Sequence, residues 1–192
     1  MKTRLFAAIA AAALLAGNAA PAAAALKTAI FAGGCFWSAE HDIEHTAGVT
    51  NVVVGYAGGP NRQPNYENHE GFLEAIQVTY DPAKISYGQL VNAFFHHIDP
   101  TDPNGQICDQ GSSYRTAVFA ADADETKAAE AVKAEVGKTL GKPIATQIRP
   151  AAKFWMGEGY HQDYARKNPL EYNAYRIGCG RDAALKAVWR GR

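Results

Sequence analysis

Cys35 is the residue of this sequence best placed to do chemistry. It directly follows Gly33 and Gly34 and opens a segment with helical spacing, so a tight turn would leave its sulfur uncovered at a helix N-terminus. The free N–H groups and the positive dipole end of a first helical turn favour a thiolate. Phe36 and Trp37 add two apolar faces. The pattern predicts a nucleophile beside an apolar pocket, although a small buried cysteine at a strand end has the same spacing.

Periodic apolar residues predict the elements that position this cysteine. Residues 28–32 form a short apolar strand that ends at the two glycines, and helical spacing follows over 35–46. The pattern predicts further strands at 49–56, 73–80 and 114–120, and further helices at 86–97 and 124–140. The last fifty residues, rich in Tyr, Gly and Asn, are typical of a long tail wrapped over a core.

The composition is that of one ordinary globular domain, with 47% hydrophobic and 20% charged residues. Because 19 basic residues balance 19 acidic ones, the overall charge favours neither nucleic acid nor an anionic membrane as a partner. Strands and helices alternate, but the strands are β-branched and half-buried. We therefore expect an α+β fold with one antiparallel or mixed sheet and helices packed against it.

Residues 1–25 have the pattern of a secretory signal peptide. Lys2 and Arg4 precede a short apolar run, and an alanine-rich cleavage site ends at Ala25. The apolar run is roughly half the ~20 residues that span a bilayer. We expect cleavage near Ala25, which leaves one domain over 26–192 with a net charge of 17 − 19 = −2, soluble in the periplasm. Thiols in that oxidising compartment need a dedicated reductant.

Two other uses of the cysteines are open. A secreted cysteine hydrolase would pair Cys35 with one of the six histidines, such as His161, to acylate an ester or amide. A non-enzymatic metal carrier would use four nitrogen, sulfur and oxygen ligands: His96, His97, Asp99 and Cys108. For the hydrolase, no spacing in the sequence specifies a base or an oxyanion hole. For the metal carrier, the adjacent residues His96 and His97 would project in different directions on a helix. The sequence therefore favours neither.

The segment Gly34-Cys35-Phe36-Trp37 is similar to the active-site signature of the peptide methionine sulfoxide reductase A family. Six further stretches match the family in order: 54–59, 66–67, 74 with 78–82, 99–101, 109–115 and 160–164. Together they cover nearly all of 26–192 and are far more specific than the tetrapeptide. The resemblance implies a two-layer, ferredoxin-like α+β sandwich and reduction of the S epimer of methionine sulfoxide, free or in proteins.

The resemblance implies roles for two reacting groups. Cys35 is the thiolate that attacks the sulfoxide sulfur, and it is left as a sulfenic acid when methionine departs. Glu74 matches the family's proton donor. Its neighbours along the chain are apolar, so burial would raise the pKa of its carboxyl toward a value suited to donation. By residue type alone, a lone Glu on a strand is more often a solvated charge.

The resemblance also implies the residues that bind substrate. Tyr66 and Tyr114 match two phenols that hydrogen-bond the substrate oxygen, and Asp109 matches an acid that orients its neighbours. Phe36 and Trp37 are implied to enclose the S-methyl group. By type alone, Tyr66 and Tyr114 are more often core or surface aromatic residues, and Phe36 and Trp37 fit core packing. Asp109 also fits a turn beside Gly111. No bound cofactor or metal is implied.

Recycling needs a second thiol. The family commonly keeps it in the C-terminal region, where this chain has Cys179 between two glycines. This implies a disulfide from Cys35 to Cys179, closed by a mobile tail and reopened by a thioredoxin-like protein or dithiothreitol. Cys108 is a lesser candidate for the resolving thiol and otherwise a spectator. The expected partners are oxidised methionine and the reductant, and the protein is expected to be a monomer.

Overall fold

The strands and helices predicted from the pattern are all present in a computed structural model, which describes residues 25–190. The strands are β1 (Lys27–Ala32), β2 (Val49–Ala57), β3 (Leu73–Tyr80), β4 (Gly105–Gln106), β5 (Asp109–Gln110), β6 (Ala117–Ala120), β7 (Gln147–Pro150) and β8 (Trp155–Met156). The helices are α1 (Phe36–Ile43), α2 (Tyr87–His96), α3 (Ala123–Leu140), α4 (Tyr164–Lys167), α5 (Pro169–Cys179) and α6 (Arg181–Val188). The predicted strand at 114–120 is shorter because Ser112–Tyr114 form a 3-10 turn.

Six of the strands form one mixed sheet, as the sequence predicts. Their order is β7-β6-β1-β3-β2-β8, and all neighbours are antiparallel except β6 and β7. Strands β4 and β5 form a separate hairpin, in which Gln106 pairs with Asp109. Ile107 and Cys108 are therefore the two residues of its turn.

Alternation along β3 divides its side chains between the two faces of the sheet. Ile76, Val78 and Tyr80 lie in the main core with apolar residues of α1, α2 and α3. Leu73 and Ala75 lie in a smaller cluster on the opposite face. Even-numbered residues of β3 thus point toward the helices, and this parity aims Glu74 at α1.

Local signals in the sequence explain where α2 and α3 begin and end. Ser86 and Gln89 form a reciprocal capping box at the start of α2. Asp122 caps α3, which ends at Gly141 with a φ of +62°. Within residues 25–190, no helix combines the length and the apolar character needed to cross a membrane.

The last fifty residues are more ordered than the predicted tail, since they hold β7, β8 and the three helices α4 to α6. Pro169 begins α5 and Gly180, with a φ of +66°, ends it. The guanidinium groups of Arg176 and Arg181 donate to the two carboxylate oxygens of Asp42 at 2.8 and 3.1 Å. Arg181 is fully buried, so these ion pairs fasten α5 and α6 to α1.

Candidate active site

A cavity of ≈180 Å³ lies where β3 meets the N-terminus of α1. Eight residues line it: Cys35, Phe36, Trp37, Tyr66, Glu74, Asp109, Tyr114 and Tyr175. The first seven are residues that the sequence analysis selects, whereas Tyr175 is new and the predicted Cys179 lies outside the lining. Larger depressions of ≈450, ≈410 and ≈220 Å³ have no cysteine in their linings. Seven of the predicted site residues therefore lie together around the smaller cavity.

The turn before α1 places Cys35 as the sequence predicts. Cys35 is the N-cap of α1, and its carbonyl accepts hydrogen bonds from the N–H groups of Ser38 and Ala39, both at 3.1 Å. Gly34 has a φ of +82°, and a Cβ at that position would clash with the side chain of Gln106. The Cys35 thiol is free and 7% exposed. The turn thus delivers a buried thiol to the cavity.

The predicted thiolate is not the resting form of Cys35. Burial raises the pKa of its thiol from 9.0 to about 12, and the charge of Glu74 adds to the shift. The nearby Tyr175 hydroxyl and Ser38 N–H lower the pKa of the thiol but are outweighed. The prediction from the helix dipole was wrong because desolvation of a buried sulfur exceeds what the first turn of a short helix offers.

Glu74 is buried beside the start of α1. Its side chain is 2% exposed, and its Oε2 accepts a hydrogen bond from the backbone N–H of Phe36 at 2.9 Å. Burial raises the pKa of the carboxyl from 4.5 to about 8; the Phe36 bond opposes the shift and the charge of Asp109 adds to it. Glu74 therefore carries a proton at neutral pH, as its apolar neighbours predict, and is not a solvated strand charge.

Phe36 and Trp37 supply two fixed aromatic rings to the lining of the cavity. Phe36 is 1% exposed, with its ring centroid 5.8 Å from that of Tyr56. Trp37 stacks on Tyr164 at a centroid distance of 3.8 Å, and its Nε1–H donates to Nδ1 of His161 at 3.0 Å. Contacts on several sides fix both rings before any ligand enters.

Tyr66 and Tyr114 bring two hydroxyl groups to the same cavity from different segments. Burial, followed by the charge of Glu74, raises the pKa of both hydroxyls. Both therefore remain hydrogen-bond donors at neutral pH. The backbone N–H of Tyr66 donates to Oε1 of Glu158 at 2.8 Å, which fixes its loop.

Sequence reasoning missed Tyr175, which links the cavity to the C-terminal helices. Its hydroxyl donates to Oδ2 of Asp109 at 2.6 Å and lies near enough to Cys35 to lower the pKa of the thiol. Burial raises the pKa of Asp109, while the Tyr175 bond and the charge of Arg181 lower it. The one available signal was that Tyr175 lies one helical turn before Cys179, and that signal required α5 to be recognised as a helix.

The disulfide in the structure joins Cys108 to Cys179, whose Cα atoms are 5.3 Å apart. It is not the predicted bond from Cys35 to Cys179, because Cys179 is paired with Cys108 instead. The β4–β5 hairpin carries Cys108 at its tip to the end of α5, across a sequence separation of 71 residues. Spacing along the chain does not indicate that these two segments meet.

The two alternative uses of the cysteines lack their geometry. His161 is not among the lining residues, and its Nδ1 is the acceptor for the Trp37 N–H. Cys108, the sulfur ligand of the predicted metal carrier, is in a disulfide. Within residues 25–190, the groups with ligand-like spacing are 41, 44 and 45, and 108, 109 and 179, neither of which is the predicted set.

A buried thiol, a protonated carboxyl and an adjacent disulfide together define a thiol-dependent reductase on an α+β scaffold. The family profile described as "Peptide methionine sulfoxide reductase" matches residues 27–192. The chain belongs to this family. It is an enzyme that reduces methionine sulfoxide at the expense of thiols.

Known proteins agree with this assignment. The chain is 49% identical over 195 residues to peptide methionine sulfoxide reductase MsrA 2 of Caulobacter vibrioides, covering 98% of this chain and 99% of that one. The reduced form of Mxr1 from Saccharomyces cerevisiae has a TM-score of 0.71 at 34% identity, covering 76% and 87% of the two chains. Mxr1 in complex with Trx2 has a TM-score of 0.53 at 29% identity, with coverages of 73% and 85%.

Proposed function

We propose that Cys35 attacks the sulfur of methionine S-sulfoxide, free or in proteins, while Glu74 protonates the sulfoxide oxygen. The observation that carries this proposal is that the thiol and the protonated carboxyl line one ≈180 Å³ cavity beside two apolar rings. A sulfoxide needs an electron pair delivered to sulfur, a proton delivered to oxygen and an apolar place for its methyl group. The cavity offers all three.

Two side chains, those of Glu74 and Cys35, supply and accept the protons of the reaction. Glu74 gives its proton to the sulfoxide oxygen, and the proton of the Cys35 thiol replaces it on the carboxylate. The S–O bond of the sulfoxide breaks as the protonated oxygen is transferred to the Cys35 sulfur, so methionine leaves and Cys35 is left as a sulfenic acid. Because burial disfavours any isolated charge here, coupled transfer lets a neutral thiol react without a standing thiolate. The high pKa of the thiol is thereby reconciled with its role.

The remaining lining residues orient the substrate. The hydroxyls of Tyr66 and Tyr114, two residues that line the cavity, are donors at neutral pH, which suits an oxygen that gains charge in the transition state. Phe36 and Trp37 would receive the S-methyl group. The cavity thus has an apolar side for the methyl group and a hydrogen-bonding side for the oxygen. This arrangement selects one epimer of the sulfoxide.

We also propose that a thioredoxin-like dithiol reopens the Cys108–Cys179 disulfide. Cys108 is exposed, so an external thiolate has access to its sulfur. The complex of Mxr1 with Trx2 shows that a structurally similar protein binds such a partner. In the laboratory, dithiothreitol would serve the same purpose.

The central strands support a ferredoxin-like assignment. Along the chain the order is β1-α1-β2-β3-α2-β6, and across the sheet it is β6-β1-β3-β2, with every pair antiparallel. This is the split βαβ arrangement. The segment after β6 then adds β7, β8 and the C-terminal helices around that unit.

Export is a separate proposal, which rests on the sequence of residues 1–25. All but the last of these lie outside the described residues, and the family match begins just after them, at 27. We propose a periplasmic, monomeric protein that begins near Ala25. N-terminal sequencing of protein from the periplasmic fraction would check the cleavage, and Met1 on the active form would contradict it.

Turnover of resolved methionine sulfoxide epimers with dithiothreitol tests the central proposal. The S epimer should yield methionine, and the R epimer should remain unreacted as an internal control for chemical reduction. A thiol-specific probe should report sulfenic acid on Cys35 after the S epimer but not after an ester. Equal consumption of both epimers, or hydrolysis of the ester, would contradict the assignment.

A further inference from the structure

We propose that the C-terminal end of α1 binds a divalent transition-metal ion such as Zn²⁺ through His41, Glu44 and His45. These residues occupy positions i, i+3 and i+4, which share one face at the end of a helix. One ligand atom of each, a ring nitrogen or a carboxylate oxygen, lies within 4.8 Å of the other two. Imidazole nitrogen and carboxylate oxygen are ligands that zinc takes in proteins. The site is separate from the cavity and does not depend on the proposed reaction.

The ligand atoms are spaced almost as they would be around a bound ion. Oε1 of Glu44 lies 3.6 Å from Nδ1 of His41 and 3.8 Å from Nδ1 of His45. Tetrahedral zinc with bonds of about 2.1 Å holds neighbouring ligand atoms roughly 3.4 Å apart. Small rotations of the side chains would therefore bring all three groups onto one ion.

The charges around this cluster favour a cation. Within residues 25–190, the only ion-pair partners of the Glu44 carboxylate are the two histidines, and no lysine or arginine neutralises it. The last carbonyl groups of α1 add partial negative charge at the same end of the helix. Asp42 is already paired with Arg176 and Arg181, so it does not compete for the ion.

The surroundings hold one imidazole in place and leave the other adaptable. The ring centroid of His41 is 5.1 Å from that of Tyr172, a buried residue of α5, and 5.4 Å from that of His45. His45 is exposed, and its Nδ1 lies 2.9 Å from the carbonyl oxygen of His41. An ion bound to this Nδ1 would replace the proton donated to the carbonyl, while Nε2 of the ring carries a proton instead. The carbonyl oxygen would then lie beside the ion.

A depression in the surface leaves room for water at the same place. It has a volume of ≈410 Å³, and its lining includes Glu44 and His45. Asp163 lines it too, but its carboxylate is paired with Arg166 and Lys167 and is not counted as a ligand. Water can therefore complete the coordination of the ion.

The ion would stabilise the fold and is not a cofactor of the reduction. None of the three ligands lines the cavity. His41 lies six residues beyond Cys35, or roughly 9 Å along the helix. An ion that binds only the folded chain raises the stability of that chain. Because His41 also contacts Tyr172, the ion would strengthen the junction of α1 with α5.

Titration of untagged protein with ZnCl₂ tests the site. The Cys35→Ser protein is the parent for this experiment, because it lacks the free thiol and keeps the other two cysteines in their disulfide. Calorimetry should show one zinc ion bound per chain. His41→Gln, Glu44→Gln or His45→Gln should each weaken binding by about tenfold or more, since loss of even an outer-shell partner typically costs 10–100-fold. Ca²⁺ and Mg²⁺, which take oxygen ligands, should not replace Zn²⁺.

His96→Gln is the matched control, because His96 is also an exposed histidine in the last turn of a helix. Its zinc affinity should equal that of the parent. Zn²⁺ should raise the unfolding temperature of the parent, and EDTA should reverse the rise. His41→Gln combined with His45→Gln should remove this response, while a metal-free unfolding temperature like that of the parent shows that the variant is folded.

Two results would overturn the proposal. One is a parent protein that binds no zinc. The other is an affinity that stays unchanged in the exposed single variant His45→Gln, which tests the site even if the double variant fails to fold.

Discussion

The wall and the rim of the cavity are built by different means. The wall, Cys35, Phe36 and Glu74, comes from β3 and the start of α1, which are joined by a hydrogen bond from the Phe36 backbone to Glu74 at 2.9 Å. The rim, Cys108, Tyr175 and Cys179, comes from a hairpin turn and α5, which are joined by a disulfide and fastened through charged groups. The proposed mechanism thus assigns the substrate chemistry to the core and the recycling to segments docked on it.

This difference separates two kinds of defect. Changes in the wall should stop the first chemical step while the fold survives, because the sheet and α1 are held by the main hydrophobic core. Changes at Cys108, at Cys179 and at the charged groups that fasten α5 should spare the first step and impair the later recycling steps, whereas Tyr175 also lines the cavity. Four substitutions, taken from the largest expected effect to the smallest, test the separation.

Cys35→Ser should abolish methionine release from the S epimer, because a hydroxyl is not nucleophilic enough toward sulfur at neutral pH. Even single-turnover release should disappear. Methionine can be quantified by chromatography, with thermal unfolding compared to the wild type as the control for folding. Residual single-turnover release from this variant would remove Cys35 from the mechanism.

Glu74→Gln should slow the reaction by roughly 10²- to 10⁴-fold, the usual contribution of a general acid. The amide oxygen can still accept the Phe36 N–H, so the fold should persist. Since the pKa of Glu74 is about 8, the wild-type single-turnover rate should fall as pH rises through 8 and the acid loses its proton. The variant should lack this decline. A wild-type rate in the variant would show that another group donates the proton.

Asp42→Asn should lower the free energy of unfolding by about 3 kcal/mol, because it leaves the buried guanidinium of Arg181 without its carboxylate and removes one of the two carboxylates that pair with Arg176. It should also slow reductant-driven turnover more than the single-turnover release of methionine. Urea denaturation and the two rates would measure this. Glu135→Gln, which breaks the exposed pair with Lys138, is the matched control and should cost under about 1 kcal/mol. Equal effects of the two substitutions would contradict the fastening role.

Tyr175→Phe should reduce the single-turnover rate about tenfold. A hydrogen bond to a charged group is worth roughly 1.5–3 kcal/mol, and neighbouring groups should compensate for part of this loss. The ring stays, but the hydrogen bond to Asp109 and the hydroxyl near Cys35 are lost. Single-turnover kinetics with the S epimer would measure the change. Tyr160→Phe, at an exposed tyrosine outside the cavity lining, should have no comparable effect.

Much of the wall could be predicted from local pattern. Two glycines before Cys35 predict the turn, and alternation along 73–80 aims Glu74 at the helical layer. The capping box of Ser86 and Gln89 fixes the start of α2. Each of these features depends on residues within a few positions of one another, where backbone geometry dictates the outcome.

The sequence by itself determined which side chains react: the family motifs, the turn at Cys35 and the inward parity of Glu74. Only the tertiary structure decided their protonation and their partners. The pKa of Cys35 depends on burial, which exceeds the helix-end effect that local reasoning supplies. Tyr175 and the Cys108–Cys179 bond depend on the docking of α5, 71 residues from the hairpin. Desolvation and long-range contacts are properties of packed segments, and no local spacing encodes them.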